Sequence, residues 1–102
     1  MIIVGTDIKV NVHIDPINGQ TMDSIDFECF FYSQSTRVYE RFKKNDMIRV
    51  DENNYIACIH THKLGRGTLC LKIVATVVDT DFENGVRNEV LNIKTDIQIS
   101  NI

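Results

Sequence analysis

Apolar residues along this chain recur at every second position, the period of a pleated strand with one face in a core and one in water. In residues 8–14, Ile8, Val10, Val12 and Ile14 alternate with Lys9, Asn11 and His13. In residues 25–33, Ile25, Phe27, Cys29 and Phe31 share one face, and Asp26, Glu28, Phe30 and Tyr32 the other. Residues 35–44 fit two readings: Val38 and Phe42 at a helical spacing, or Val38, Glu40 and Phe42 on one face of an edge strand. The turn-like Ser33, Ser35 and Thr36, and β neighbours throughout, select the strand. Short strands are expected at residues 47–50 and 55–60. Residues 68–78 are long, β-branched and apolar on both sides, the pattern of a central strand covered on both faces. Residues 87–99 form the last strand, with Leu91, Ile93, Ile97 and Ile99 inward.

Turn chemistry separates these runs. Pro16 stops a ladder and Asn18-Gly19 supplies the positive φ angles of a tight turn. Asp51 to Asn54 forms the next polar turn, and THKLGRG at residues 61–67 carries two glycines into the central strand. About seven short strands with turn signals every ~8–12 residues predict an all-β fold: an immunoglobulin-like antiparallel β-sandwich forming one domain over residues 1–102. A chain of 102 residues with 43% apolar residues can fill one core without metal or disulfide staples. The net charge of −3 gives no footprint for nucleic acid, and no apolar run reaches the ~18 residues of a membrane span. The N-terminal MIIVGTDIKV lacks the basic start and cleavage site of a signal peptide, so synthesis and residence in the cytoplasm are expected.

Candidate chemistry is sparse. In VVDTDFENGVRNEV, residues 77–90, Asp79, Asp81 and Glu83 match the first ligands of a calcium loop in type. The glycine comes one place late at Gly85, however, and the twelfth position is Val90 instead of a bidentate Glu. The competing reading is a hairpin end in which Asn84-Gly85 turns the chain and Phe82 tucks back under the sheet. Cys58, His60 and His62 fall on one face of an extended segment and are good zinc ligands in type, but a structural site wants four. The alternative has Cys58 buried and both histidines exposed. Cys29, Cys58 and Cys70 read as buried small hydrophobes, with a Cys29–Cys70 bridge as the alternative. Arg37, Arg41, Lys43, Lys44 and Arg49 are interleaved with Tyr39 and Phe42, a pattern that serves single-stranded nucleic acid but more often protects an edge strand. No serine sits in a G-x-S-x-G elbow, and no orienting group accompanies Cys58 and His60. The expectation is a non-enzymatic protein without cofactor or metal.

Several stretches carry a resemblance: DFECF (Asp26 to Phe30), YIACI (Tyr55 to Ile59), LGRGTL (Leu64 to Leu69) and DTDFENG (Asp79 to Gly85), closed by NIKTDIQIS. Together they resemble the small immunoglobulin-like modules of tailed-phage virions, especially those of gut Bacteroidetes phages. The relatives in view are the N-terminal module of baseplate upper proteins and the modules of head fibres and capsid accessory proteins. The resemblance implies a virion structural protein present in multiple copies and bound to other virion proteins. A capsid auxiliary subunit that decorates, bridges or anchors a fibre is favoured, and a baseplate or tail adaptor is the alternative. Fibre proteins normally continue into a shaft and tip, whereas this sequence ends after its last strand, which points to an accessory or adaptor role. A non-viral carbohydrate-binding module is a further alternative if Tyr32, Tyr39 and Phe42 form one exposed aromatic row. Three surfaces are expected to mediate contact: the apolar arm Met1, Ile2, Ile3 and Val4, the outward Phe30 and Tyr32, and the Phe82 loop. The arm has a second possible place, as an extra strand on its own sheet.

Overall fold

The computed structural model describes residues 2–16 and 20–101. Met1, Ile17, Asn18, Gly19 and Ile102 lie outside them, and so does the expected Asn18-Gly19 turn. Among the described residues eight strands follow one another: β1 (Ile2–Ile3), β2 (Asp7–His13), β3 (Asp26–Ser33), β4 (Tyr39–Lys43), β5 (Ile48–Arg49), β6 (Asn54–His60), β7 (Gly67–Val78) and β8 (Val86–Ser100). The helical segments among the described residues are two 3-10 turns, Lys44–Asp46 and Thr61–Lys63. Every expected strand is present, including the one proposed within residues 35–44. The eighth is β1, where the arm takes the place of an extra strand on its own sheet.

The strands form two layers, a five-stranded sheet ordered β1-β8-β7-β3-β4 and a three-stranded sheet ordered β2-β6-β5. Leaving β1 aside, β2, β6 and β5 take the places of strands B, E and D of an immunoglobulin sandwich. β3, β7 and β8 take those of C, F and G, and β4 extends that sheet. All pairs are antiparallel except β1 with β8, which run parallel with Ile2 opposite Ile99.

Alternation places Phe27, Cys29 and Phe31 of β3 and Leu69, Leu71 and Ile73 of β7 on the inner face of the large sheet. They meet Val12 of β2 and Tyr55, Ala57 and Ile59 of β6. The Phe27 and Tyr55 rings bridge the layers edge to face, with centroids 5.0 Å apart and planes at 78°. Such a pair adds about 0.5–1.5 kcal/mol beyond burial alone. Tyr55 is 1% exposed, and its hydroxyl has no hydrogen-bond partner among the described residues. Gly67 opens β7 at φ +130°, where an added Cβ would stand 2.3 Å from Ser33 Oγ. Only glycine lets the strand begin against the buried Ser33, whose hydroxyl donates to the Arg66 carbonyl.

The two layers differ in reach. β8 has 15 residues and spans about 50 Å, which sets the 51 Å long axis of the molecule. β2 and β6 have seven residues each and cover only part of it. Leu91 and Ile93 lie directly opposite Ile73 and Leu71, on the core-facing side, yet are 58% and 44% exposed. Their expected inward burial fails because no strand of the smaller sheet passes over them. The coverage expected on both faces of β7 also fails. Its outer face bears the exposed Lys72 and a 55% exposed Val78, open to water.

Cys29 and Cys70 are buried and free. They sit on neighbouring strands of one sheet with side chains on opposite faces, so the bridge that joins two layers in immunoglobulin domains has no counterpart here. Burial pushes the Cys29 thiol up to about 12, which leaves it inert near neutrality. Cys58 is exposed, not buried as expected, because position 58 falls on the outer face of the small sheet, opposite Lys9.

The unpartnered Tyr55 hydroxyl separates two substitutions. Tyr55→Phe is expected to be neutral or stabilising by up to about 1 kcal/mol, because it removes a buried group without a partner. Tyr55→Ala is expected to cost about 3–5 kcal/mol through the cavity left between the layers. Chemical denaturation of the two variants checks both; a Tyr55→Phe loss above about 1 kcal/mol would mean that the hydroxyl is bonded.

Candidate functional site

Three surface features follow from the unequal layers. The first is the free edge of β8. β1 pairs only with Ile99 and Ser100, so residues 86–98 have no strand on that side among the described residues. Exposed apolar side chains flank this edge above and below: Leu91 and Ile93 on the inner face, Val86 and Val90 on the outer. Beside Leu91 a cleft of about 250 Å³ opens between the layers. Ile73, Ala75 and Val77 form its floor, and Ile14, Pro16 and Ile25 the facing wall. Arg87 lies at one end, with its guanidinium 2.9 Å from Asp79 and also paired to Glu89.

At the cleft mouth His13 stands between two oxygen acceptors. Its Nδ1 is 2.9 Å from Asn54 Oδ1 and its Nε2 2.8 Å from Asp15 Oδ1. Asn54 points its oxygen at the ring because its amide nitrogen donates to both Asp51 carboxylate oxygens. An imidazolium satisfies both acceptors, so these bonds raise the His13 pKa, Asn54 first and Asp15 second.

The second feature covers the outer face of the large sheet. Register places Tyr39, Tyr32 and Cys70 in one row, and Arg41, Phe30 and Lys72 in the next. Phe30 meets Tyr39 edge to face at 5.8 Å, and Lys72 Nζ lies 6.0 Å from the Phe30 ring centroid. Arg37 stands at the border with φ +63°, the one non-glycine among the described residues in the left-handed region. Phe30, Tyr32, Arg37, Tyr39, Lys72 and Asn92 enclose an open depression of about 490 Å³. Arg41 is committed to a bidentate pair with Glu28. Arg37 and Lys72 have no ion-pair partner among the described residues. Phe42 points the other way and packs edge to face on Phe31 at 5.7 Å, so no row of Tyr32, Tyr39 and Phe42 exists.

The third feature is the hairpin tip at residues 79–85. The Asp79 amide donates to the Gly85 carbonyl, the Phe82 amide to Asp79, and the Gly85 amide to Phe82. Gly85 takes φ +73° to close the loop. Phe82 does not tuck under the sheet; it is 54% exposed between Asp81 and Glu83. The loop is too short and too tightly bonded to fold its aromatic ring back onto β7.

The remaining sequence candidates are placed as follows. Ile2 and Ile3 pair with the chain's own β8, and Val4 donates to the Ser100 carbonyl, so the arm lies on its own sheet; Met1 lies outside the described residues. The buried Thr61 pins the arm by accepting from the Gly5 amide and donating to the Thr6 carbonyl. His60 is 2.7 Å from Asp7, and the His62 ring lies 5.9 Å from that of His60, although Thr61–Lys63 leaves the strand. Among the described residues, no group of three His, Cys, Asp or Glu side chains is placed to hold a metal ion.

Leu91, Ile93 and Lys72 were not singled out as surface contacts by sequence pattern, whereas Arg37 and Tyr39 were, in the basic run and the aromatic row. Their places depend on register and on the reach of the facing layer, which single-strand periodicity does not encode. No protein-family model, no curated protein and no solved structure matches the chain.

His13 is expected to titrate above its ordinary 6.5, and Asp15→Asn to bring it back toward that value. A folded-state pKa above the unfolded one means that this contribution to stability is complete below about pH 6.5 and lost as pH rises through the folded value. NMR titration of the imidazole protons in both proteins is the check; a wild-type value at or below 6.5 would contradict the arrangement.

Proposed function

We propose that the chain is a non-catalytic binding module that works by accepting an extended segment of a partner along the β8 edge. The observation that carries this reading is the outer edge of β8 at residues 86–98, which pairs with β7 on one side and with no strand on the other among the described residues, flanked by exposed Leu91, Ile93, Val86 and Val90. Strand addition supplies affinity through main-chain hydrogen bonds, and the alternating side chains of the added strand supply specificity. The cleft beside Leu91 can take an apolar side chain from that strand. The other outer edge of the large sheet, β4, is guarded by Arg41 and Lys43, which directs addition to β8.

The resemblance supplies the biological setting. A small immunoglobulin-like domain with sticky edges fits a tailed-phage virion subunit, a capsid auxiliary protein before a baseplate or tail adaptor. Its partners in that setting are major capsid, head-fibre or baseplate proteins, and it resides in the virion.

Mass spectrometry of virions purified from a host carrying the coding sequence is expected to find the chain in many copies per particle; its absence from the particle overturns the virion reading. Captured on immobilised protein, disrupted virions are expected to yield a capsid, fibre or baseplate protein. Leu91→Lys with Ile93→Lys is expected to weaken that capture about tenfold or more without changing the fold, since both side chains are already exposed. Equal capture by this variant overturns the β8 edge as the docking site.

A further inference from the structure

We propose that the hairpin tip of one copy docks into the aromatic and basic depression of a second copy, joining molecules head to tail. This contact uses neither the β8 edge nor the resemblance, and it stands whether or not the chain belongs to a virion.

The two surfaces are complementary in charge and in shape. The depression presents two cations without ion-pair partners among the described residues, Arg37 and Lys72, around the rings of Phe30 and Tyr39. The acids on that face are Asp26, at the far end of β3, Glu28, already held by Arg41, and Asp96, further along β8. The tip presents Asp81 and Glu83, which have no ion-pair partner among the described residues, on either side of exposed Phe82. An aromatic ring flanked by two carboxylates fits an open depression of about 490 Å³ walled by three rings and two cations.

The tip cannot serve its own depression. Lys72 and Val78 lie on one extended strand, and their six-residue separation puts the tip roughly 20 Å away. The loop's three internal backbone hydrogen bonds hold it pointing outward. A second copy therefore supplies the tip. Because the contact joins two different patches of one chain, it is heterologous and propagates into a ring or a filament. A chain of net charge −3 with an acidic tip disfavours nucleic acid as the occupant of the same face.

Sedimentation velocity over a protein concentration series, at about 50 mM and about 500 mM salt, reads the contact. Self-association is expected at low salt and about tenfold weaker at high salt. Asp81→Lys with Glu83→Lys, and separately Arg37→Glu with Lys72→Glu, are each expected to weaken it about tenfold or more. Mixing the two variants is expected to restore association, because the intact tip of one meets the intact depression of the other and the two reversed surfaces are again opposite in charge. Unchanged circular dichroism verifies that each variant is folded, and Phe82→Ser is a further tip variant expected to weaken association without altering charge. The proposal is overturned by a wild-type monomer throughout the low-salt series or by association that survives both charge reversals. Failure of the mixture to form a complex would also overturn it. Binding of a labelled single-stranded oligonucleotide that depends on Arg37 and Lys72, with no self-association, would assign the face to nucleic acid instead.

Discussion

A seven-residue strand cannot cover a fifteen-residue one, and this mismatch between the two layers governs the molecule. Where the layers overlap, Phe27 and Tyr55 close the core ring against ring, and the surrounding side chains are excluded from water. Beyond the overlap, the same inward alternation continues along β7 and β8 with no strand of the smaller sheet facing it among the described residues. The cleft beside Leu91, the free β8 edge and the long hairpin ribbon are three consequences of that one inequality. In an antiparallel ribbon every residue has a fixed face, so an uncovered inner row is an exposed apolar surface held in register.

The strands were legible in the sequence because period two is a local property. Ile8 to Ile14 and Ile25 to Phe31 declare their faces without reference to anything else in the chain. Position within the sandwich was not legible. Leu91 and Ile93 read as inward, and they do point inward; what failed was the assumption that something lies over them. Cys58 read as buried because a cysteine in an apolar strand usually is, yet the register with β2 places it on the wet face opposite Lys9. Phe82 read both as tucked under the sheet and as part of a projecting contact loop; the bonds among Asp79, Phe82 and Gly85 go with the second, leaving the ring exposed. The pairing of β1 with β8 showed no period in two residues; only the apolar character of the arm pointed to an extra strand on its own sheet, the place it takes.

The functional surfaces share an economy of means. None relies on a buried titratable centre. Phe30, Tyr39 and Lys72 are brought together by cross-strand register, whereas Arg37 enters from the turn before β4 in a left-handed conformation. The acids at the tip are solvated and held by a loop whose hydrogen bonds are internal. What these surfaces offer is shape, apolar contact and charge placement, the features on which the proposed binding role rests.

The central claim is that the large sheet is closed along its middle strands and open along β8. Amide hydrogen exchange, followed residue by residue in dilute high-salt solution, tests it most directly. Amides at the centres of β3 and β7 are expected to be protected throughout. In β8 roughly every second amide from residue 86 to residue 96 is expected to exchange fast, because alternate backbone groups face the empty edge. Continuous protection along the whole of β8 would show that the edge is already occupied within the chain, and the account would fail.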